Sequence, residues 1–238
     1  MFRIDTSKRT DESEIMDDFE LQGRELDRTL KDLENINSWL GGNQITINGI
    51  KKLLPDTKAT IRIVDIGCGN GAILRKISDW AKSNSYNFEL IGVDANPYAI
   101  EIARNLSIEY KNVEFQELNI FSEVFKDMKF DVILCTLTLH HFKDRQIVEL
   151  LNQLIDQAEY GVVINDLHRT RMAYILFQAF CAVFVSNEIA RKDGLISILR
   201  GFKKDDIIEF ARKIKGSHEV SWKWAFRYQW IIRQNNNL

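Results

Sequence analysis

A doubly wound, mostly parallel α/β sheet of seven strands is the fold class predicted by the 238-residue sequence, with helices ahead of the sheet and a helical insertion after its fifth strand. Three observations carry this expectation. From Thr60 onward, short apolar runs alternate with helical stretches. Those runs are apolar at successive positions, as strands covered on both faces are, and helices between parallel strands supply that cover. The last segment, "HEVSWKWAFRYQWII", changes to a two-residue alternation, which is the period of a strand.

The elements come in order. Leu26, Leu30, Leu33, Ile36 and Leu40 recur at steps of three and four and predict an amphipathic helix. Gly41 and Gly42 stop it, and Asn43 caps a shorter helix that runs to Leu54 before Pro55. "IRIVDI" is then a strand, with a helix near Ala72 to Ser83; "FELIGVD" is the second, with a helix near Tyr98 to Tyr110. "VEFQEL" is followed by a loop, "FDVILCTL" by a helix near Asp144 to Glu159, and "GVVIND" is the fifth strand. Right-handed crossovers wind these strands into one sheet. Next come an apolar helix from Met172 to Val185, an irregular stretch "NEIARKDGLISILRGF", a helix from Lys204 to Lys213, and an antiparallel pair bending near Ala225. We divide the chain into a helical cap over 1–58 and a sheet domain over 59–238, with 169–200 as a lid insertion.

Composition narrows the function classes. With 32 basic and 34 acidic side chains the net charge is −2, which disfavours a surface built to neutralise a phosphate backbone. Cys68, Cys135 and Cys181 are few, odd in number and without metal spacing, so a reducing, cytoplasmic setting is expected. The opening residues lack the apolar stretch of a signal peptide. The Met172 to Val185 run is interrupted by Gln178 and too short to span a bilayer.

The stretch "VDIGCGNG" (Val64 to Gly71) joins the first strand to the first helix of the sheet domain. Glycines there allow backbone conformations closed to other residues and let a ligand approach without meeting a Cβ. They also present amides at a helix N-terminus, where negative charge is favoured. Gly67, Gly69 and Ala72 fit the dinucleotide pattern G-x-G-x-x-[GA], a weak match by itself. The surroundings separate the readings. Asp65 precedes the turn, the glycines run G-x-G-x-G, and "GVDANP" ends the second strand on Asp94.

In these residues the sequence closely resembles the class I S-adenosylmethionine-dependent methyltransferases over roughly Ile61 to Asp166. The resemblance implies their Rossmann-like sheet and S-adenosyl-L-methionine as methyl donor, with S-adenosyl-L-homocysteine as product. It places the loop of Gly67, Cys68, Gly69 and Gly71 against the methionine end of the donor and counts Asp65 among the cofactor-binding residues. It makes Asp94 the acceptor of both ribose hydroxyls, with Ala95 beside it. The acidic residue usual after the third strand is replaced in "ELNIFS", so Asn119 takes the adenine contact, Ile120 packs on the ring, and Cys135 borders the site from the fourth strand.

In such a sheet ligands sit at the carboxyl ends of the strands, and "CTLTLHHF" and "NDLHR" put His140, His141 and His168 there. A neutral imidazole suits removal of a proton from a phenol or hydroxyl acceptor. His141 and His168 are the leading candidates, with His140 in reserve. No metal is expected: magnesium wants several oxygen ligands, and only Asp166 supplies a carboxylate at these two strand ends.

The acceptor end lies outside the common fold. The Met172 to Val185 helix is apolar nearly all round and must be covered or cover something apolar. Tyr174, Phe177 and Phe180 are expected to line the acceptor pocket, the Leu26 to Leu40 helix closing it opposite. Arg169, Arg191 and Asp193 are candidates to orient a polar head group. The wider pattern resembles bacterial methyltransferases of secondary metabolism that act on aromatic or polyketide-like acceptors. O-methylation of a small apolar molecule is the first expectation. C- or N-methylation, and a non-catalytic donor-binding regulator, are the alternatives. The [DN]-P-P-[FYW] motif of nucleic acid methyltransferases is missing, and the aromatic alternation from Trp222 to Trp230 reads as core packing, so no nucleic acid partner is expected. A homodimer stays open.

Overall fold

The computed structural model describes residues 4–234. Seven strands form one sheet in the order β3-β2-β1-β4-β5-β7-β6. They are β1 (Ile61–Ile66), β2 (Phe88–Asp94), β3 (Val113–Glu117), β4 (Phe130–Thr136), β5 (Ala158–Leu167), β6 (Ser217–Lys223) and β7 (Arg227–Arg233). β1 to β5 pair in parallel, and β7 runs antiparallel between β5 and β6. The order reverses between β1 and β4, so the loops leaving these two strands diverge and open a crevice at their carboxyl ends.

Successive strand residues serve opposite cores. Val64 and Ile66 of β1 join Ile91 and Val93 of β2 on one face. There they meet α5 (Glu123–Lys126), α6 (Asp144–Gln157) and α9 (Lys204–Ala211) through Phe125, Leu150 and Phe210. Ile63 and Leu90 point to the other face, where α2 (Gly42–Leu53), α3 (Ala72–Ser83) and α4 (Pro97–Leu106) contribute Ile50, Leu74 and Ile100. Each fully buried Ile or Leu of this kind contributes roughly 1.5–3 kcal/mol.

α1 (Gly23–Trp39) carries the apolar stripe expected of it and uses that stripe in two places. Leu26 and Leu30 pack on Ala99 of α4, while Ile36 reaches Cys181 and Val185 at the end of α7 (Arg171–Phe184). α1 therefore couples the sheet to the added helices. α8 (Glu188–Arg200) occupies the stretch whose sequence shows no helical stripe. It packs against α1, α7 and the 3-10 turns at Ile15–Asp17 and Leu139–His141, so it buries polar and apolar residues on several sides at once.

Two expectations fail on exposure. Met172, Ile175, Leu176, Val183 and Phe184 of α7 are exposed, Val183 at 74%, so only one side of this apolar helix is covered. Trp222 and Trp224 are also exposed, Trp224 at 73%, whereas Tyr228 and Trp230 are buried. The β6–β7 turn explains the aromatic stripe: Ala225 and Phe226 adopt φ of 59° and 55°, and the hairpin folds the alternation back on itself. Trp222 lies on the edge strand and Trp224 in the turn itself, while Tyr228 and Trp230 lie inside the sheet. No helix among the described residues is long and apolar enough to cross a membrane.

Candidate active site

The turn between β1 and α3 is built by its glycines. Gly67, Gly69 and Gly71 all have left-handed φ, at 68°, 51° and 72°. A Cβ on Gly67 would meet Thr138 at 2.6 Å and one on Gly71 would meet Phe115 at 2.4 Å. Gly69 has only Leu30 near that position, at 3.3 Å, and its amide donates to Asp94 Oδ2 over 2.9 Å. Asp94 Oδ1 accepts from the Asn96 amide at 3.0 Å. The second-strand carboxylate thus latches the glycine turn, and each of its oxygens can accept a further bond. α1 braces the turn from outside, with Glu34 accepting from Asn70 at 3.0 Å.

Asp65 is 2% exposed, and its Oδ1 is buried with no hydrogen-bond partner. Burial, reinforced by the charge of Asp94, pushes its carboxyl well above the usual range. A buried acceptor without a donor is costly. A cationic group in the crevice would satisfy it. The ammonium of a methionine-type ligand, with ribose hydroxyls at Asp94, fits this donor-poor pair.

A second polar cluster occupies the ends of β4 and β5. Leu137, just past β4, has φ of 55°, a strained conformation for a leucine that turns the chain into the His140–His141 segment. His140 Nδ1 lies 2.7 Å from Asp166 Oδ1, and its Nε2 lies 3.5 Å from Glu14 Oε1. Both rings are held on their Nδ1 side, because His141 Nδ1 is 2.6 Å from Asp17 Oδ1. Arg200 completes the cluster, donating to Asp17 at 2.6 Å and to the His141 carbonyl. Burial alone would lower the His140 pKa, but Asp166 and Glu14 overcome it and raise the pKa to about 9. Glu14 and Asp166 shift the other way: burial pushes them up, and the facing histidine outweighs it and holds them below the carboxylate range.

The structure brings Asp65, the three glycines and Asp94 together at one strand end, and His140 with His141 at the next. The other candidates fall elsewhere. His168 packs on Tyr228 with ring centroids 4.8 Å apart and accepts from Trp222 Nε1 at 3.2 Å, so it faces the terminal hairpin and not the histidine pair. Arg169 is fully buried, pairs with Asp206 at 3.0 Å and donates to the carbonyls of Gly201 and Thr6; it holds segments together and has no free head group. Asp193 anchors the Glu14 turn, accepting from the Ile15 and Met16 amides at 2.9 Å each. Cys135 lies in the core under α6, whereas Cys68 packs near Phe115 behind the glycine turn. The Ala95 amide supports Asp94. Asn119 is exposed and accepts from the Phe121 amide at 2.9 Å, while Ile120 leans on the core. Phe177 and Phe180 pack with Ile36 and Cys181 between α1, α7 and α8, and Tyr174 is half-buried on α7.

Glu14, Asp17 and Arg200 are the residues that sequence reasoning missed. "DESEIMDD" is simply an acidic run, and no local pattern says which acid will be buried. Asp166 was visible as a strand-end acid, but its partner was not.

Comparison with known proteins places this arrangement. The family model described as "Methyltransferase domain" matches residues 57–188, more than half of the chain. An uncharacterized methyltransferase, YcgJ of Bacillus subtilis (strain 168), is 30% identical over 159 residues, 58% of this chain and 60% of its own length. The ubiquinone biosynthesis O-methyltransferase of Pasteurella multocida (strain Pm70) is 28% identical over 48% of this chain and 50% of its own length. The chain thus spans three-fifths or less of these curated relatives. Among solved structures, the plantazolicin methyltransferase BpumL with SAH superposes at a TM-score of 0.64 and 17% identity, covering 87% of this chain and 90% of its own. The magnesium protoporphyrin IX methyltransferase ChlM of Synechocystis PCC 6803 does so at 0.54 and 14%, covering 84% of each. These two likenesses are of fold. The chain belongs to the methyltransferase domain family.

Proposed function

We infer that the protein transfers a methyl group from S-adenosylmethionine to a small, largely apolar aromatic or polyketide-like acceptor, with oxygen as the receiving atom, releasing S-adenosylhomocysteine. The observation that carries this reading is the buried, partnerless Asp65 oxygen beside the Gly69–Asp94 latch: it suits a ligand with a cationic head and a hydroxylated sugar. Asp65 would hold the ammonium, Asp94 the ribose, and the turn from Gly67 to Gly71 would lie against the backbone of the ligand. The donor, when bound, supplies a sulfonium methyl with a good leaving group. What the chain must then do is align the acceptor, exclude water and accept a proton where the acceptor carries one.

Within the second cluster His141, the more exposed of the two rings, suits that last task. His140 and His141 follow the carboxyl end of β4, each with Nδ1 held by a carboxylate, which fixes ring orientation and turns Nε2 toward Glu14. α1, α7 and α8 supply apolar cover through Ile36, Phe177 and Phe180. BpumL, ChlM and the carbon methyltransferase CurJ are named for small molecules or for carbon methylation, which supports this acceptor class and keeps carbon transfer as the second reading. Incubation with isotopically labelled donor and host metabolite extract, followed by mass spectrometry, tests the proposal. A labelled small molecule is the expected result. Tight donor binding without any labelled product would instead mark a regulator that has kept the donor site.

A further inference from the structure

Glu14, His140 and His141 converge in a way that neither a buried ion pair nor a general base requires. Glu14 Oε1 and His140 Nε2 are both buried and make no hydrogen bond, although they face one another at 3.5 Å. His141 Nε2 stands 3.9 Å from the other oxygen, Glu14 Oε2. One ligand atom from each of the three residues lies within 4.8 Å of the others.

The groups behind them complete the pattern. A histidine that binds a metal through Nε2 almost always donates its Nδ1–H to a carboxylate or carbonyl. Here both rings do so, to Asp166 at 2.7 Å and to Asp17 at 2.6 Å. Held this way, both rings turn Nε2 toward Glu14, and a bound ion would take the place of any proton there. Three carboxylates, Glu14, Asp17 and Asp166, surround the two rings, with Arg200 3.6 Å from Glu14 Oε1 and 2.6 Å from Asp17 Oδ2 and the buried Arg227 guanidinium acting on Asp166.

We propose that Glu14, His140 and His141 form a binding site for a divalent transition metal ion, with Asp166 and Asp17 orienting the two imidazoles. Two nitrogens and a carboxylate favour zinc, manganese or iron(II) over magnesium or calcium, which prefer all-oxygen sets. In a tetrahedral site with bonds of about 2.0–2.2 Å the ligand atoms stand about 3.3–3.6 Å apart, so the contacts at 3.5 and 3.9 Å are near that spacing and the widest pair closes by at most about 1.5 Å on binding. Three protein ligands leave a position for an outside group. A metal there would draw an acceptor oxygen and favour its deprotonated form; that role, unlike the metal site itself, rests on the methyl-transfer reading.

The test uses the full chain, stripped by chelator, dialysed and titrated with Zn²⁺ alone. Calorimetry is expected to show one equivalent bound. Glu14→Gln and His140→Ala should lose at least about 100-fold in affinity, and Asp166→Asn, a positioning change, about 10- to 100-fold. His218→Ala, whose ring contacts Trp230 and Ile214, should bind as wild type. Should the cluster variants fail to fold, Co²⁺ added to the wild-type chain decides: visible bands of a nitrogen-oxygen site and a raised melting midpoint support the proposal. Absence of a stoichiometric site, or Zn²⁺ affinity unchanged in both Glu14→Gln and His140→Ala, overturns it. Donor affinity, measured separately without metal, belongs to Asp94 and the glycine turn, so failure of one reading leaves the other standing.

Discussion

The two ends of the crevice are assembled differently. The proposed donor end draws Asp65, Gly67, Gly69, Gly71 and Asp94 from one strand–turn–helix–strand unit, and its central bond joins Gly69 to Asp94. The proposed acceptor end draws Glu14 and Asp17 from the chain ahead of the first helix, His140 and His141 from the β4 loop, Asp166 from β5 and Arg200 from the end of α8. A local unit keeps its geometry when remote parts shift. A cluster gathered from four segments depends on every one of them, and it is also where a fold shared by many proteins can acquire its own chemistry.

If that contrast holds, substitutions at the two ends should separate cleanly, and the largest effect belongs to the acceptor end. His141→Ala should slow methyl transfer by about 10²- to 10⁴-fold with donor affinity unchanged by calorimetry. His168→Ala, aimed at Trp222, should change neither. A His168 variant slower than the His141 variant would break the comparison.

Next in size is the donor end. Asp94→Ala removes an acceptor of charge-assisted hydrogen bonds, each worth about 1.5–3 kcal/mol, and should weaken S-adenosylmethionine by that amount per bond without altering which acceptor is used. Isothermal titration beside a product profile checks both halves of that statement.

A pH dependence should come from the acceptor end. In chelator-treated protein, His140 has its pKa raised from 6.5 to about 9, burial being outweighed by Asp166 and Glu14. Its contribution to stability is fully present below about pH 6.5 and is lost as pH rises through about 9, with an upper bound of about 3 kcal/mol. Glu14 and Asp166, held low, contribute above the ordinary carboxylate range and lose that contribution as pH falls. Melting curves at pH 6, 8 and 10 should show the alkaline loss in wild type and a smaller one in Glu14→Gln.

The smallest effects should map the added helices. Phe180→Ala opens the contact with Trp39, whose ring centroid lies 6.2 Å away, and should cost no more than roughly 1.5–3 kcal/mol, with acceptor KM rising and donor affinity constant. Val183→Ser, on the exposed side of α7, should stay within about 0.5 kcal/mol of wild type. A large loss for Val183→Ser would mean that this face is covered in solution.

Particular residues show why one end was legible and the other was not. Asp65 and Asp94 end adjacent strands because each comes after an apolar run, and the glycines between them announce a tight turn; both signals are local. Leu26, Leu30 and Ile36 likewise marked the buried face of α1 by spacing alone. α8 gave no such signal because it is enclosed by helices and turns on several sides, so its buried set includes Asp193, Ser197 and Arg200. Arg169 looked like a ligand for a head group, yet its guanidinium is spent on Asp206 and backbone carbonyls. Composition cannot distinguish those uses of an arginine.

By itself the sequence determined the sheet, the helices whose apolar stripe faces one neighbour, and the glycine turn between Asp65 and Asp94, because hydrophobic period and turn chemistry act between residues a few positions apart. Only the tertiary structure decided which acid of the N-terminal run is buried, which histidine it meets, and which sides of α7 and of the aromatic hairpin remain open. The physical reason is that a buried charge is stabilised by whatever the completed fold brings within about 4 Å of it, and a residue 126 positions away in the chain, as Glu14 is from His140, leaves no trace in the local pattern of either.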